Sequence, residues 1–86
     1  MHVMKKYEIR VKPRAEKELA QLSEEVRQKI GAALERLEEG LSGDVKHLTN
    51  FTPEYRLRVG DYRVLFEVEG DRVIVYRICP RREACR

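Results

Sequence analysis

Arginines at alternate positions of one predicted strand are the residues whose type and spacing could do chemistry. Arg56 and Arg58 are two positions apart, so on a strand they share a face, about 7 Å from each other. Arg63 follows a turn at Gly60 and Asp61, and a hairpin about that turn brings it near Arg56 or Arg58. Guanidinium groups bind phosphate through two parallel hydrogen bonds, so this cluster is a candidate site for the phosphates of a nucleic acid.

Further cations stand near these arginines in the predicted arrangement. Arg81 and Arg82 follow the last predicted strand and can reach the same surface, and Lys46 in a connector is another candidate contact. Exposed strand arginines are also commonly solvated, or paired with a carboxylate across the sheet, which here would be Glu54 or Glu67. The pattern by itself therefore leaves a solvated face and a nucleic-acid surface both open.

The two halves of the chain differ in their proportions of lysine and arginine. Residues 1–43 carry five lysines and four arginines, whereas residues 44–86 carry one lysine and eight arginines. The planar fork of arginine suits phosphate better than the ammonium of lysine does. The second half is therefore consistent with a phosphate-bearing partner, although GC-rich coding also favours arginine, and the net charge is only +3.

Length and composition limit the other classes of function. Eighty-six residues predict a single domain, residues 1–86. The chain has only two cysteines and two histidines, which disfavours a four-ligand zinc site, and we expect neither a metal nor a cofactor. No apolar stretch reaches the roughly 18 residues of a membrane span, so we expect a cytoplasmic protein with no membrane partner.

The first half of the chain predicts one strand and a helical hairpin. Residues 6–12 alternate apolar and polar side chains, which is the period of a half-buried strand. A helical pattern runs over residues 14–22, and Ser23 is a good N-cap for a second helix that continues to about residue 39. Gly40 supplies the stop of that helix. The apolar stripes of the two helices comprise Ala15, Leu19, Leu22, Val26, Ile30, Ala33, Leu34 and Leu37.

The second half predicts strands. A connector over residues 41–53 contains a short extended piece at 45–48, and strands at 54–59 and 62–68 flank the turn. A hairpin leads into a last strand at 72–78, which is apolar nearly throughout and so is typical of a central position. The order predicts an α+β fold, with an N-terminal strand, a helical hairpin, then three to four antiparallel strands forming one sheet.

Residues 55–68, which read YRLRVGDYRVLFEV, resemble the RelE-type toxins of bacterial and archaeal toxin–antitoxin systems. The resemblance extends to the opening YEIRVKPRAEKELAQL and the closing RICPRREACR, so it covers most of the chain. The motif Y-R-[LI]-R-V-G-D-Y-R-V is fairly specific, because strand alternation alone does not require arginine at those three positions. The helical hairpin and the strand order fit the small RelE-like fold of that family.

This resemblance implies an mRNA interferase, an endoribonuclease that cuts mRNA in the ribosomal A site without a metal. The ribose 2′-OH attacks the adjacent phosphate, leaving a 2′,3′-cyclic phosphate and a 5′-OH. By position, Arg56 and Arg58 match the family's strand residues that meet the mRNA backbone. Arg63 and Arg81 match the arginines that clamp the scissile phosphate. The implied partners are the ribosome, mRNA and a small antitoxin protein that is often acidic where it covers the toxin's sheet.

Two positions depart from the pattern of the relatives. These usually end in G-H-R-R-x-x-Y-R, or carry lysine for that histidine, whereas Pro80 and Cys85 stand at the places of the histidine and the tyrosine. General acid–base catalysis is typically worth about 10²–10⁴-fold in rate. The resemblance therefore leaves open an active ribonuclease, a weakened or inactive module that binds its antitoxin, and a ParE-like inhibitor of DNA gyrase. The dense arginine pattern favours the ribonuclease.

Overall fold

In a computed structural model, which describes residues 6–50 and 52–81, two helices and one five-stranded sheet follow the predicted order. The elements are β1 (Glu8–Val11), α1 (Pro13–Ala20), α2 (Glu24–Leu37), β2 (Val45–His47), β3 (Tyr55–Val59), β4 (Tyr62–Glu69) and β5 (Arg72–Pro80). The α+β prediction is confirmed. The main differences are at the ends of elements, since β1 begins two residues later than predicted and β5 includes Pro80.

The five strands lie in the order β1-β5-β4-β3-β2. Strands β2 to β5 are antiparallel neighbours, as predicted, and β1 runs parallel to β5. A parallel pair needs a crossover connection, and the two helices are the first part of that crossover. The apolar last strand, β5, lies between β1 and β4, which confirms its predicted central position.

The helices begin and end where the sequence provides the required groups. Pro13 opens α1, where its missing N–H costs nothing because the first helical N–H groups have no intrahelical acceptor. The Ser23 hydroxyl accepts a hydrogen bond from the Val26 N–H at 3.3 Å, which confirms the predicted N-cap of α2. Gly40 has a φ of 72°, the left-handed conformation that stops a helix and that glycine adopts without strain.

Both helices cover the same face of the sheet. Their predicted apolar stripes pack with alternate residues of the strands into one core, whose fully or nearly fully buried members are Ala15, Ile30, Leu34, Leu37, Leu57, Val64, Phe66, Val73, Val75 and Ile78. Tyr55 and Tyr62 pack against this core, as their alternation with the arginines predicts. Neither helix in the described ranges is long and apolar enough to span a bilayer.

A β-bulge shapes the end of β5 that leads toward Arg81. Phe66 pairs with Val75 but Leu65 pairs with Arg77, so Tyr76 is the extra residue on β5. Beyond Val75, β1 no longer covers the edge of β5, because the last pair between these strands joins Val11 and Val75.

A carboxylate of α1 accepts a hydrogen bond from the backbone of β5 at the part of its edge that β1 does not cover. Glu18 Oε1 accepts a hydrogen bond from the Ile78 N–H at 2.9 Å, and Glu18 Oε2 lies 2.9 Å from Arg77 Nε and 2.8 Å from Arg77 Nη2. The Glu18 carboxylate thus replaces the backbone acceptor that a neighbouring strand would provide. It joins the first helix to the last strand across 59 residues of sequence.

Candidate nucleic-acid interface

The arginines of interest lie on the face of the sheet opposite the helices, which we call the distal face. Alternation along β3 and β4 places Leu57 and Val64 in the core, so Arg56, Arg58 and Arg63 point to the distal face. The same alternation that predicts the strands therefore also predicts which face of the sheet each of these side chains takes.

The strand register brings these cations into two adjacent rows. Arg58 of β3 stands directly opposite Arg63 of β4, and Lys46 of β2 stands opposite Arg56 of β3. Residues directly opposite each other have Cβ atoms about 4.5–5.5 Å apart. The expected proximity of Arg63 to Arg58 is therefore present in the register. Lys46 is exposed and borders the cluster at the edge strand.

Arg63 is the electrostatic centre of the cluster. Burial lowers the pKa of its guanidinium below the ordinary arginine value, and repulsion from Arg58, Arg56 and Arg81 lowers that pKa further. The carboxylate of Asp44 opposes these effects and raises the pKa. Three guanidinium groups, two from β3 and one from the segment after β5, therefore act on Arg63.

Within residues 6–50 and 52–81, no carboxylate forms an ion pair with an arginine of this cluster. The ion pairs of that part of the chain involve other cations, namely Arg10, Lys29, Arg72 and Arg77. Glu54, one of the expected partners, has an oxygen 3.7 Å from His47 Nε2. The alternative in which Glu54 or Glu67 pairs with the strand arginines is therefore wrong for the described residues.

Glu67 acts on a different part of the distal face. Burial raises the pKa of the Tyr76 hydroxyl above the ordinary tyrosine value, and the carboxylates of Glu67 and Glu69 raise it further. The acidic end of β4 thus faces the bulge at Tyr76. The arginine cluster lies at the opposite end of the same strand.

Arg63 and Arg56 differ in whether their guanidinium groups have hydrogen-bond acceptors in the protein. Arg63 Nη1 donates to the backbone oxygens of Tyr62 at 3.0 Å and Gly60 at 3.2 Å, which anchors it to the turn. The Nε of Arg56 is buried but has no hydrogen-bond acceptor among the described residues. A buried donor without a partner costs about 1–3 kcal/mol.

Arg81 is fixed at the rim of the cluster by its backbone. Its N–H donates to the carbonyl oxygen of Asp61 at 2.7 Å, which ties the residue after β5 to the turn between β3 and β4. A cleft of about 630 Å³ opens there, with Asp61, Tyr62, Pro80 and Arg81 as its described lining residues. Pro80 has no side-chain proton to donate. Two sequence candidates, Arg82 and Cys85, lie outside the described residues.

His47 lies on the other face of the sheet. It pairs with Tyr55, with ring centroids 5.0 Å apart, and Tyr55 stacks on the buried Phe66 at 5.4 Å. His47 therefore belongs to an aromatic row on the helix side and does not join the arginine cluster. Among the described residues no group of three or more histidine, cysteine, aspartate or glutamate side chains could hold a metal ion.

Sequence reasoning missed two acidic residues beside the arginines, Asp44 and Asp61. Asp44 precedes Lys46 by two positions, so the alternation of the predicted extended piece carries the signal that both side chains share a face. The Arg58 N–H donates to the Asp44 carbonyl oxygen at 2.9 Å, which continues the pairing between β2 and β3. Asp61 was interpreted only as a turn residue.

Comparison with protein families gives a match over residues 9–85 to the ParE toxin of the type II toxin–antitoxin system parDE. A curated relative, Toxin RelE3 of Methanocaldococcus jannaschii, is 31% identical over 71 residues. That alignment covers 77% of this chain and 81% of the relative.

Solved structures share the fold. The RelB-RelE antitoxin–toxin complex from Methanococcus jannaschii contains a chain with 26% identity and a TM-score of 0.74, and the match covers 88% of this chain and 94% of that one. The archaeal RelE-RelB complex from Pyrococcus horikoshii contains a chain with 24% identity and a TM-score of 0.75. This second match covers 88% of this chain and 96% of that one, and at this identity it shows the fold alone.

Proposed function

Because the chain belongs to the RelE/ParE family of toxins of type II toxin–antitoxin systems, we propose that it is a ribosome-dependent endoribonuclease that cleaves mRNA in the A site. The guanidinium groups around Arg63 are the main support. Four of them converge on one face, and none has a carboxylate within ion-pair distance among the described residues. A cation cluster with no carboxylate partner of its own suits an external polyanion.

The cluster supplies the positive charge that RNA cleavage requires. The 2′-oxygen bonds to phosphorus, the bond from phosphorus to the 5′-oxygen breaks, and negative charge builds on the non-bridging oxygens in between. Arg63 and Arg81 are placed to stabilise that charge, in the role that a metal ion has in other nucleases. Arg56, Arg58 and Lys46 bind the flanking backbone phosphates, and Arg82 is proposed as a further contact.

We also propose three partners. Relatives with this fold are described as RelB-RelE complexes, and the distal cations would attract an antitoxin segment of opposite charge. This chain would thus form a hetero-oligomer with its own antitoxin. The other two partners are the ribosome and mRNA, which place the active toxin in the cytoplasm.

Primer extension on a translated reporter mRNA tests the proposed activity. The chain is expressed without an antitoxin as wild type, as Arg81→Ala and as Arg72→Ala. Arg72 is the matched control, because it is an arginine at the far end of the sheet whose Nε lies 3.8 Å from Glu8 Oε2. We expect cuts within codons for wild type and Arg72→Ala, and a loss of about 10²–10³-fold for Arg81→Ala.

Two other outcomes point to the alternatives. Pro80 favours the inactive module, because it lies in the cleft beside Arg81 and cannot transfer a proton. Intact mRNA with normal growth would support that module, and the double variant Pro80→His with Cys85→Tyr should then gain activity. Similarity to the ParE toxin over most of the chain favours the gyrase inhibitor. Intact mRNA with arrested growth and broken DNA would support it.

A further inference from the structure

The proposed ribonuclease needs a group that accepts the proton of the attacking 2′-OH. The position at which relatives often carry histidine is occupied here by Pro80, which lines the cleft and has no such group. If the chain is a ribonuclease, another side chain near Arg63 has to accept the proton, because an un-ionised ribose hydroxyl is a poor nucleophile.

We propose that the carboxylate of Asp44 is this general base. The Arg58 N–H donates to the Asp44 carbonyl oxygen at 2.9 Å, and the next residues, Val45 and Leu57, are paired. Asp44 therefore stands opposite Arg58, which in turn stands opposite Arg63. These residues form one row across three neighbouring chain segments, with about 5 Å between segments.

The electrostatics of the row agree with this placement. Of the acidic residues, only Asp44 has a resolved effect on Arg63, whose pKa it raises. Asp44 is exposed, and among the described residues it has no ion-pair partner within 4 Å. Its oxygens therefore remain available to a substrate hydroxyl while the phosphate is held beside them.

Other described side chains fit this role less well. His47 lies on the helix side of the sheet against Tyr55. Glu67 is four residues beyond Arg63 on β4, which is about 13 Å along the strand. Lys46 stands opposite Arg56, in the row next to that of Arg58 and Arg63. Asp61 borders the cleft with Arg81 but has no resolved effect on Arg63.

The 2′-hydroxyl proton passes through Asp44 to solvent. An Asp44 oxygen takes the 2′-hydroxyl proton as the 2′-oxygen forms its bond to phosphorus. The electron pair of the breaking bond stays on the 5′-oxygen, which takes a proton from solvent water, and Asp44 returns its proton to solvent. The products are the 2′,3′-cyclic phosphate and the 5′-OH, with no net consumption of water.

Single-turnover cleavage on stalled ribosomes, measured from pH 6 to pH 9, tests the role of Asp44. The variants are Asp44→Asn, Asp44→Glu and, as the matched control, Asp71→Asn in the turn at the other end of the sheet. The charged groups around Asp44 are Arg58 and Arg63 of the sheet, with Lys29 and Arg36 of α2, which line a groove with it.

We expect Asp44→Asn to lower the rate at pH 7 by about 10²–10³-fold. Its rate should then rise about tenfold per pH unit, because hydroxide replaces the missing base. Asp44→Glu should recover part of the rate, and Asp71→Asn should match wild type. An Asp44→Asn variant that cleaves at the wild-type rate, or loses rate without the new pH slope, would overturn the role of Asp44 alone. A wild type that leaves mRNA intact would overturn the proposed function as well.

Discussion

Arg63 is held among like charges, at some cost to the stability of the free protein. Burial and three neighbouring arginines lower its pKa, so the folded state resists the charged form of this guanidinium. A group whose folded pKa is lowered opposes folding wherever it is charged, which for arginine includes all of neutral pH. An anion that binds the cluster would relieve that repulsion.

Replacing the closest of these neighbours should therefore stabilise the free protein while weakening its activity. We expect Arg58→Gln to raise Tm by about 2–4 °C in 20 mM NaCl, which corresponds to roughly 0.5 kcal/mol after allowance for solvent screening. The gain should shrink at 300 mM NaCl, because salt screens exposed charges. Differential scanning fluorimetry measures both values. Arg72→Gln, which removes a cation paired with Glu8, should give no gain, and a gain of equal size there would contradict this explanation.

At the scale of elements, the contact between α1 and β5 holds the last strand beside the site. The Glu18 and Arg77 side chains are only 21% and 17% exposed, so water screens this pair less than a surface ion pair. Glu18 also accepts the Ile78 N–H at the uncovered edge of β5. This strand continues directly into Arg81, whose backbone is bonded to the turn after β3.

Removal of the Glu18 carboxylate should destabilise the fold measurably. We expect Glu18→Ala to lower the free energy of unfolding by about 2–3 kcal/mol, because it leaves the Arg77 guanidinium and the Ile78 N–H without their acceptor. Urea unfolding followed by circular dichroism measures the change. Glu18→Gln should cost less, because its amide oxygen can still accept the Ile78 N–H. Glu35→Ala, an exposed position on α2, should stay within about 0.5 kcal/mol of wild type.

At the scale of the whole molecule, the distal face is divided electrostatically. Among residues 6–50 and 52–81, its cations without carboxylate partners gather near the turn between β3 and β4, whereas Glu67 and Glu69 lie toward the other end of β4. There Arg10 and Arg72 both pair with Glu8. This division explains how a modest net charge of +3 is compatible with a strongly basic site. It also predicts that a polyanion contacts only one end of the face.

The salt dependence of RNA binding should show whether RNA phosphates contact only the basic end of the distal face. A single-stranded RNA with 2′-O-methyl groups, which cannot be cleaved, is titrated by fluorescence anisotropy at increasing KCl. With about five phosphate contacts, log Kd should rise with log[KCl] at a slope of about 3.5, and Arg56→Ala should lower the slope by about 0.7. Arg10→Ala should leave the slope unchanged. An equal change for both variants would mean that binding is not confined to the cluster.

Local sequence patterns are sufficient to predict the helices, the strands and the face that each strand residue takes. Alternation along β3 and β4 predicts that Arg56, Arg58 and Arg63 lie opposite Leu57 and Val64, because a period of two follows from backbone geometry within one strand. The helical hairpin and the Ser23 cap were predictable for the same reason. The ends of elements were predicted less well, since the last turn of a helix and the last pair of a strand depend on neighbours distant in sequence.

Contacts between distant segments determine which cations lie close together and which carboxylates do not join them. The bond from the Arg81 N–H to Asp61, the partnership of Glu54 with His47, and the approach of Asp44 to Arg63 all join separate segments. No local period predicts them, because they depend on strand register and on the crossover that places β5 beside β1. The physical reason is that long-range packing fixes the register, whereas a sequence pattern describes only how one segment divides its side chains between two faces.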